Sequence, residues 1–198
     1  SNLSLPVSFE NNTFKNSYKI KVDGLLGGHS GMEIDKRRGS SIKIMGRILR
    51  YLSLFIDFSI SSISGGEKMN AIAKRCSVYI STDNEEKLKD KLDDIKNKII
   101  DEYKSSDPDL EILIDKIDLK KKVINQKNLN NLINILRLIP QGIQTMSADM
   151  EGLVESSSNI GVINLKDDKI ELNSAVRSSV KSLKNEITDR IDILAESF

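Results

Sequence analysis

Between Tyr18 and Ile114 the hydrophobic pattern alternates between period two and a helical period in an order that few folds accommodate. Tyr18, Ile20 and Val22 alternate with Lys19, Lys21 and Asp23, as a half-buried strand requires. Ile42, Met45, Ile48, Leu49 and Leu52 then fall at helical spacing behind Ser40 or Ser41, either of which can cap a helix. Ile56, Phe58 and Ile60 return to period two, and Gly65-Gly66 interrupts the chain before Cys76, Val78 and Ile80 resume it. Thr82-Asp83-Asn84-Glu85 has the spacing of a capping box and precedes a stripe of Leu88, Leu92, Ile95, Ile99 and Tyr103. Leu110, Ile112 and Ile114 close the series as a fourth strand. The order β-α-β-β-α-β predicts an α+β, ferredoxin-like unit, with two helices on one face of an antiparallel sheet.

The flanks extend this unit. Leu3, Leu5, Val7 and Phe9 form an alternating strand, placed at a sheet edge because Pro6 has no N–H, and Glu10-Asn11-Asn12 reads as a turn. Downstream, Leu129, Leu132, Ile133 and Leu136 mark a helix that ends near Pro140. Strands carrying Ile160 and Val162, and Ile170, Leu172 and Val176, follow, joined through Lys166-Asp167-Asp168. A last helix carries Leu183, Ile187, Ile191, Leu194 and Phe198. This α-β-β-α run predicts a partial second half packed beside the first. The expected division is 1–120 and 121–198.

Composition narrows the chemistry. Thirty basic against 29 acidic residues leave a net charge of +1, without the basic excess of a nucleic-acid binder. No apolar run reaches the roughly 18 residues of a membrane span. Cys76 is the sole cysteine, so an internal disulfide is impossible, and a reducing cytoplasm is expected. His29 is the sole histidine, and no cysteine or histidine pair has metal-ligand spacing. No metal or other cofactor is therefore expected on this chain. The opening Ser1-Asn2-Leu3, running straight into an alternating pattern, reads as a piece of a longer protein.

A lone histidine is more often structural than functional. His29, however, sits in Gly27-Gly28-His29-Ser30-Gly31-Met32-Glu33-Ile34, on a glycine-punctuated loop after a strand, where function concentrates. Two further segments stand out: Gly65-Gly66-Glu67-Lys68-Met69-Asn70-Ala71-Ile72 and Glu171-Leu172-Asn173-Ser174-Ala175-Val176-Arg177-Ser178. Together, in this order, they resemble the lid domain of the di-zinc exopeptidases that include carboxypeptidase G-like enzymes and aminoacylases. The Gly-Gly-His-Ser-Gly-x-Glu-Ile wording, with Gly152-Leu153-Val154-Glu155 and Asn159-Ile160-Gly161, is similar to aminoacyl-histidine (Xaa-His) dipeptidases, and the resemblance spans essentially the whole chain.

The resemblance implies a substrate-covering lid whose parent holds zinc on a separate catalytic domain, the lid's principal partner, and cleaves dipeptides. It further implies that His29 meets the scissile carbonyl oxygen, that Arg177 receives the terminal carboxylate, and that Asn70 orients the same end of the substrate. A homodimer through the lid is a further implication; a nucleic-acid or membrane partner is not. The chain departs from the family pattern at Ser40-Ser41, where Asn-Ala is frequent, and at Ala73, where a proline commonly stands. Both departures bear on how firmly the histidine loop is braced. The competing expectation is a stand-alone ferredoxin-like module for dimerisation or small-ligand sensing.

Overall fold

A computed structural model of the protein describes residues 2–198. Along the chain run β1 (Asn2–Pro6), β2 (Phe9–Asn11), β3 (Asn16–Asp23), β4 (Gly28–His29) and α1 (Ser41–Leu52). Next come β5 (Ser59–Gly65), β6 (Ala71–Ile72), β7 (Cys76–Thr82), α2 (Glu85–Tyr103) and β8 (Glu111–Ile117). The remainder comprises β9 (Lys122–Ile124), α3 (Gln126–Leu138), β10 (Gly142–Met146), β11 (Val154–Lys166), β12 (Lys169–Ser178) and α4 (Lys181–Ser197).

The main sheet has the order β1-β12-β11-β5-β7-β3-β8, with β10 added along β11. All its pairings are antiparallel. The stretch β5-β7-β3-β8, with α1 and α2, is the ferredoxin-like arrangement that the hydrophobic periods predict. Tyr18, Ile20 and Val22 lie fully buried in β3, sharing one apolar cluster with Val78 and Ile80 of β7 and the inward stripes of α1 and α2. The sheet runs on from β5 into β11 through two residue pairs only, Ile163–Gly65 and Asn164–Ser64. The α-β-β-α run thus extends the same sheet, and the apolar cluster is continuous across it.

Several local expectations are corrected. The strand expected through Phe9 ends at Pro6, and Glu10 and Asn11 are not in a turn but with Phe9 form β2, paired with β9 outside the main sheet. The strand expected around Ile56 begins at Ser59, although Ile56 and Phe58 are buried as their alternation requires. Helix α2 is capped by Asn84 rather than Thr82: the Asn84 carboxamide oxygen accepts from the Lys87 amide at 3.0 Å, and the Thr82 hydroxyl accepts from the Asn84 amide at 3.3 Å. The extended turn therefore uses both polar residues in relay. Ser40 does precede α1, but its side chain makes no capping bond. Pro6 ends β1 at the sheet's outer edge, where a missing N–H costs no ladder bond.

Candidate functional site

The loop between β3 and α1 carries His29, and two carboxylates determine its shape. Asp107, only 1% exposed, accepts from the Leu26 amide at 3.0 Å and the Gly39 amide at 2.8 Å, so one side chain ties both ends of the loop. The Ser106 hydroxyl donates to the same carboxylate at 2.9 Å. Glu33 closes the tip. It accepts from the His29 amide at 2.9 Å and pairs with Lys36 at 2.9 Å and Arg38 at 3.2 Å, while Arg38 also donates to the Gly27 carbonyl. These bonds brace the loop where the Ser40-Ser41 and Ala73 departures suggested slackness; the Ser41 amide itself donates to the Ala73 carbonyl at 2.9 Å.

The His29 amide, with help from Lys36 and Arg38, holds the Glu33 carboxyl down at about 2 against a usual 4.5. A carboxyl made more acidic by folding adds to loop order above its usual value, and that contribution is lost as pH falls through the folded value. The His29 amide resonance is therefore expected to titrate near pH 2 in an acid series. An inflection near pH 4.5 would mean that the Glu33 bond does not hold the loop.

Acceptance by its ring orients His29. The Gly31 and Met32 amides point at Nδ1 from 3.2 and 3.3 Å, which places the ring proton on Nε2, the far side of the imidazole. Gly31 then separates two side chains. A Cβ at that position would lie 3.1 Å from Arg177 Nε and 3.2 Å from His29 Cε1, so a larger residue would crowd the guanidinium of β12 and the imidazole of β4 that flank it. A shallow pocket of about 190 Å³ opens beside Arg177, lined by Gly31 and by Glu155 to Ser157 of β11.

Asn70 joins the same neighbourhood. His29 pairs with Ala71 across the short β4–β6 ladder, and the Ser30 amide donates to the Asn70 carbonyl at 2.9 Å. The turn around Asn70 is gripped by Asn159, itself 1% exposed, whose amide donates to the Met69 carbonyl at 3.1 Å and the Ala71 carbonyl at 2.9 Å. Gln141 donates to Asn159 at 3.1 Å and accepts from the Ile160 amide at 2.7 Å. Gly161 permits this close approach, since a Cβ there would sit 2.3 Å from the Lys68 carbonyl oxygen.

All three residues expected from the sequence thus lie in one neighbourhood: His29 half-buried, Arg177 and Asn70 exposed. Among the described residues, His29 Nε2, the Arg177 guanidinium and the Asn70 side-chain amide have no hydrogen-bonding or ionic partner. They are donors without a partner. Sequence reasoning missed the positions that support them, Glu33, Asp107, Gln141 and Asn159. The available signals were Glu33, four residues beyond His29 within the quoted motif, and Asn159, which opens the quoted Asn159-Ile160-Gly161 segment. No three His, Cys, Asp or Glu side chains converge as a metal-binding set among the described residues, so this site does not fit a metal of its own.

Residues 20–107 match the peptidase dimerisation domain family. The chain is 27% identical over 195 residues to the cytosol non-specific dipeptidase of Escherichia coli (strain K12), covering 98% of this chain and 39% of that protein. It superposes on the crystal structure of aminoacylhistidine dipeptidase from Vibrio alginolyticus with a TM-score of 0.95 and 24% identity, covering 99% of this chain and 41% of that one. Over residues 20–107 the chain is thus similar to a peptidase dimerisation domain, and over nearly its whole length it shares the fold of the corresponding part of the Vibrio protein. The chain spans about two fifths of the length of the two dipeptidases it matches.

Proposed function

We propose that this domain is the substrate-covering lid of a zinc-dependent dipeptidase of the Xaa-His type. The observation that carries the reading is the placement of two unpartnered donors, His29 and Arg177, on either side of Gly31, with the Asn70 turn alongside. His29 offers Nε2–H to the scissile carbonyl oxygen, where a donor gains strength as negative charge develops. Arg177 takes the substrate's terminal carboxylate through a two-pronged guanidinium contact, which fixes the distance from chain end to scissile bond. Asn70 orients the same end.

The metal that polarises the carbonyl and activates water in such enzymes belongs, in this reading, to a catalytic domain outside this chain. That catalytic domain and a second lid are the proposed protein partners. Residues 1–120 serve as the first half of the lid and 121–198 as a partial second half, on the strength of element order. A cytosolic setting draws on the relative's name and on Cys76, whose thiol burial keeps protonated, pushed up to about 12. No helix among the described residues is long and apolar enough to cross a membrane.

Arg177→Ala in the full-length protein is expected to raise the apparent substrate constant. It should weaken transition-state binding by roughly 1.5–3 kcal/mol, the range for a hydrogen bond to a charged group. Selectivity for free-carboxylate dipeptides over their amides should shrink in parallel. Unchanged selectivity would remove Arg177 from the carboxylate site.

A further inference from the structure

A second polar site adjoins the supports of the first, for Arg38 and Gln141 belong to both. A groove of about 650 Å³ runs between α1, the C-terminal end of α3 and β10, and shares no lining residue with His29, Asn70 or Arg177. Arg37, Arg38, Lys43, Arg47 and Arg137 line it, and none of its lining residues is acidic. Two of these charges are neutralised from outside the groove, Arg38 by Glu33 and Arg47 by a two-pronged pairing with Glu102. The other three have no acidic partner among the described residues.

Lys43 reaches the C-terminal end of α3, donating to the carbonyls of Leu136, Arg137 and Ile139 at 2.6, 3.1 and 2.9 Å. Those carbonyls offset part of its charge, yet burial and the neighbouring Arg137 still push the ammonium down to about 8. Positive charge is in excess here. Helix α1 adds to it, for its N-terminus opens on the groove with no acidic residue in the first turn. Ser40, 4% exposed and part of the lining, keeps a buried hydroxyl without a hydrogen-bond partner. Arg37 stands at φ +53°, a left-handed conformation uncommon for a side chain of this size, and its guanidinium is unpaired. Ile143 and Met146 of β10 add apolar lining.

We propose that this groove binds a small phosphate-bearing ligand of nucleotide size, with the phosphates between Arg37, Arg137 and the start of α1 and the apolar part against Ile143 and Met146. Planar guanidinium groups and helix N-terminal amides are the donors that suit phosphate oxygens, and the groove volume lies in the range of small-molecule sites. The site is independent of the lid reading, so the failure of either leaves the other standing.

The test is calorimetric titration of the full-length protein with inorganic pyrophosphate and with ADP, at two salt concentrations. One saturable site per chain is expected, with ADP bound at least as tightly as pyrophosphate. The exposed double variant Arg37→Ala/Arg137→Ala should weaken that site at least tenfold without lowering the melting temperature. Met146→Glu, which puts a carboxylate on an exposed rim, should do the same, and Arg177→Ala should leave the site intact. Three results overturn the proposal: no saturable binding, equal binding by the variants and the wild type, or a site lost with Arg177→Ala alone.

Discussion

Replacing Asp107 with alanine is expected to destabilise the fold by about 3–5 kcal/mol, since it strands two amides that the carboxylate satisfies together. Each buried donor left without a partner costs roughly 1–3 kcal/mol, and the Ser106 hydroxyl is left with the longer bond to the Tyr103 carbonyl at 3.4 Å. For a chain of this length each kcal/mol is worth about 2–4 °C in melting temperature, so thermal unfolding will resolve the change easily. Asp107→Asn should fall between the two, because one carboxamide oxygen can still accept while the NH2 group meets the other donor head on. Since Leu26 and Gly39 bound the His29 loop, hydrogen exchange should accelerate there first. A melting temperature within 2 °C of wild type would show that the loop ends are held by something else.

The extent to which this arrangement can be read from the sequence depends on how many residues carry each signal. The buried strand β3 and the α2 stripe repeat their period several times, and the structure places Tyr18, Ile20, Val22, Leu88, Leu92, Ile95 and Ile99 inward, as the periods demand. The two-residue ladder of β4 and β6 and the three-residue ladder of β2 and β9 are too short to establish any period, so they stayed hidden in loops and turns. The joining of β11 to β5 rests on two residue pairs near Gly65, and pairing between distant strands leaves no local trace. The capping of α2 was displaced by two residues because Thr82 still belongs to β7 and serves only as a link to Asn84.

At the site the division is similar. His29, Asn70 and Arg177 stand in recognisable wording, and the structure brings them together. The residues that hold them do not announce themselves. Asn159 was quoted only as part of a short motif, with no role, and it follows Ser156 to Ser158 in a stretch that is buried between β10 and β12. Its role follows from the carbonyls on either side of Asn70, which only the folded chain presents to it. Asp107 precedes Pro108 and reads as a turn residue, yet its carboxylate reaches back to amides far earlier in the chain.

His29 bears most of the proposed chemistry. Its Nδ1 is occupied by two backbone amides, so Nε2–H is the only donor it can present, and Glu33 fixes the backbone from which the ring projects. A donor aimed at a developing oxyanion contributes more in the transition state than in the ground state. His29→Ala in the full-length protein should therefore lower turnover on the order of 10²–10³-fold, with a much smaller change in the substrate constant. The most direct test measures turnover, metal content and melting temperature on one preparation of this variant. The account predicts the full loss of turnover with metal content and melting temperature at wild-type levels. Near-normal turnover with a melting temperature several degrees lower would contradict it, making His29 a structural residue of the loop.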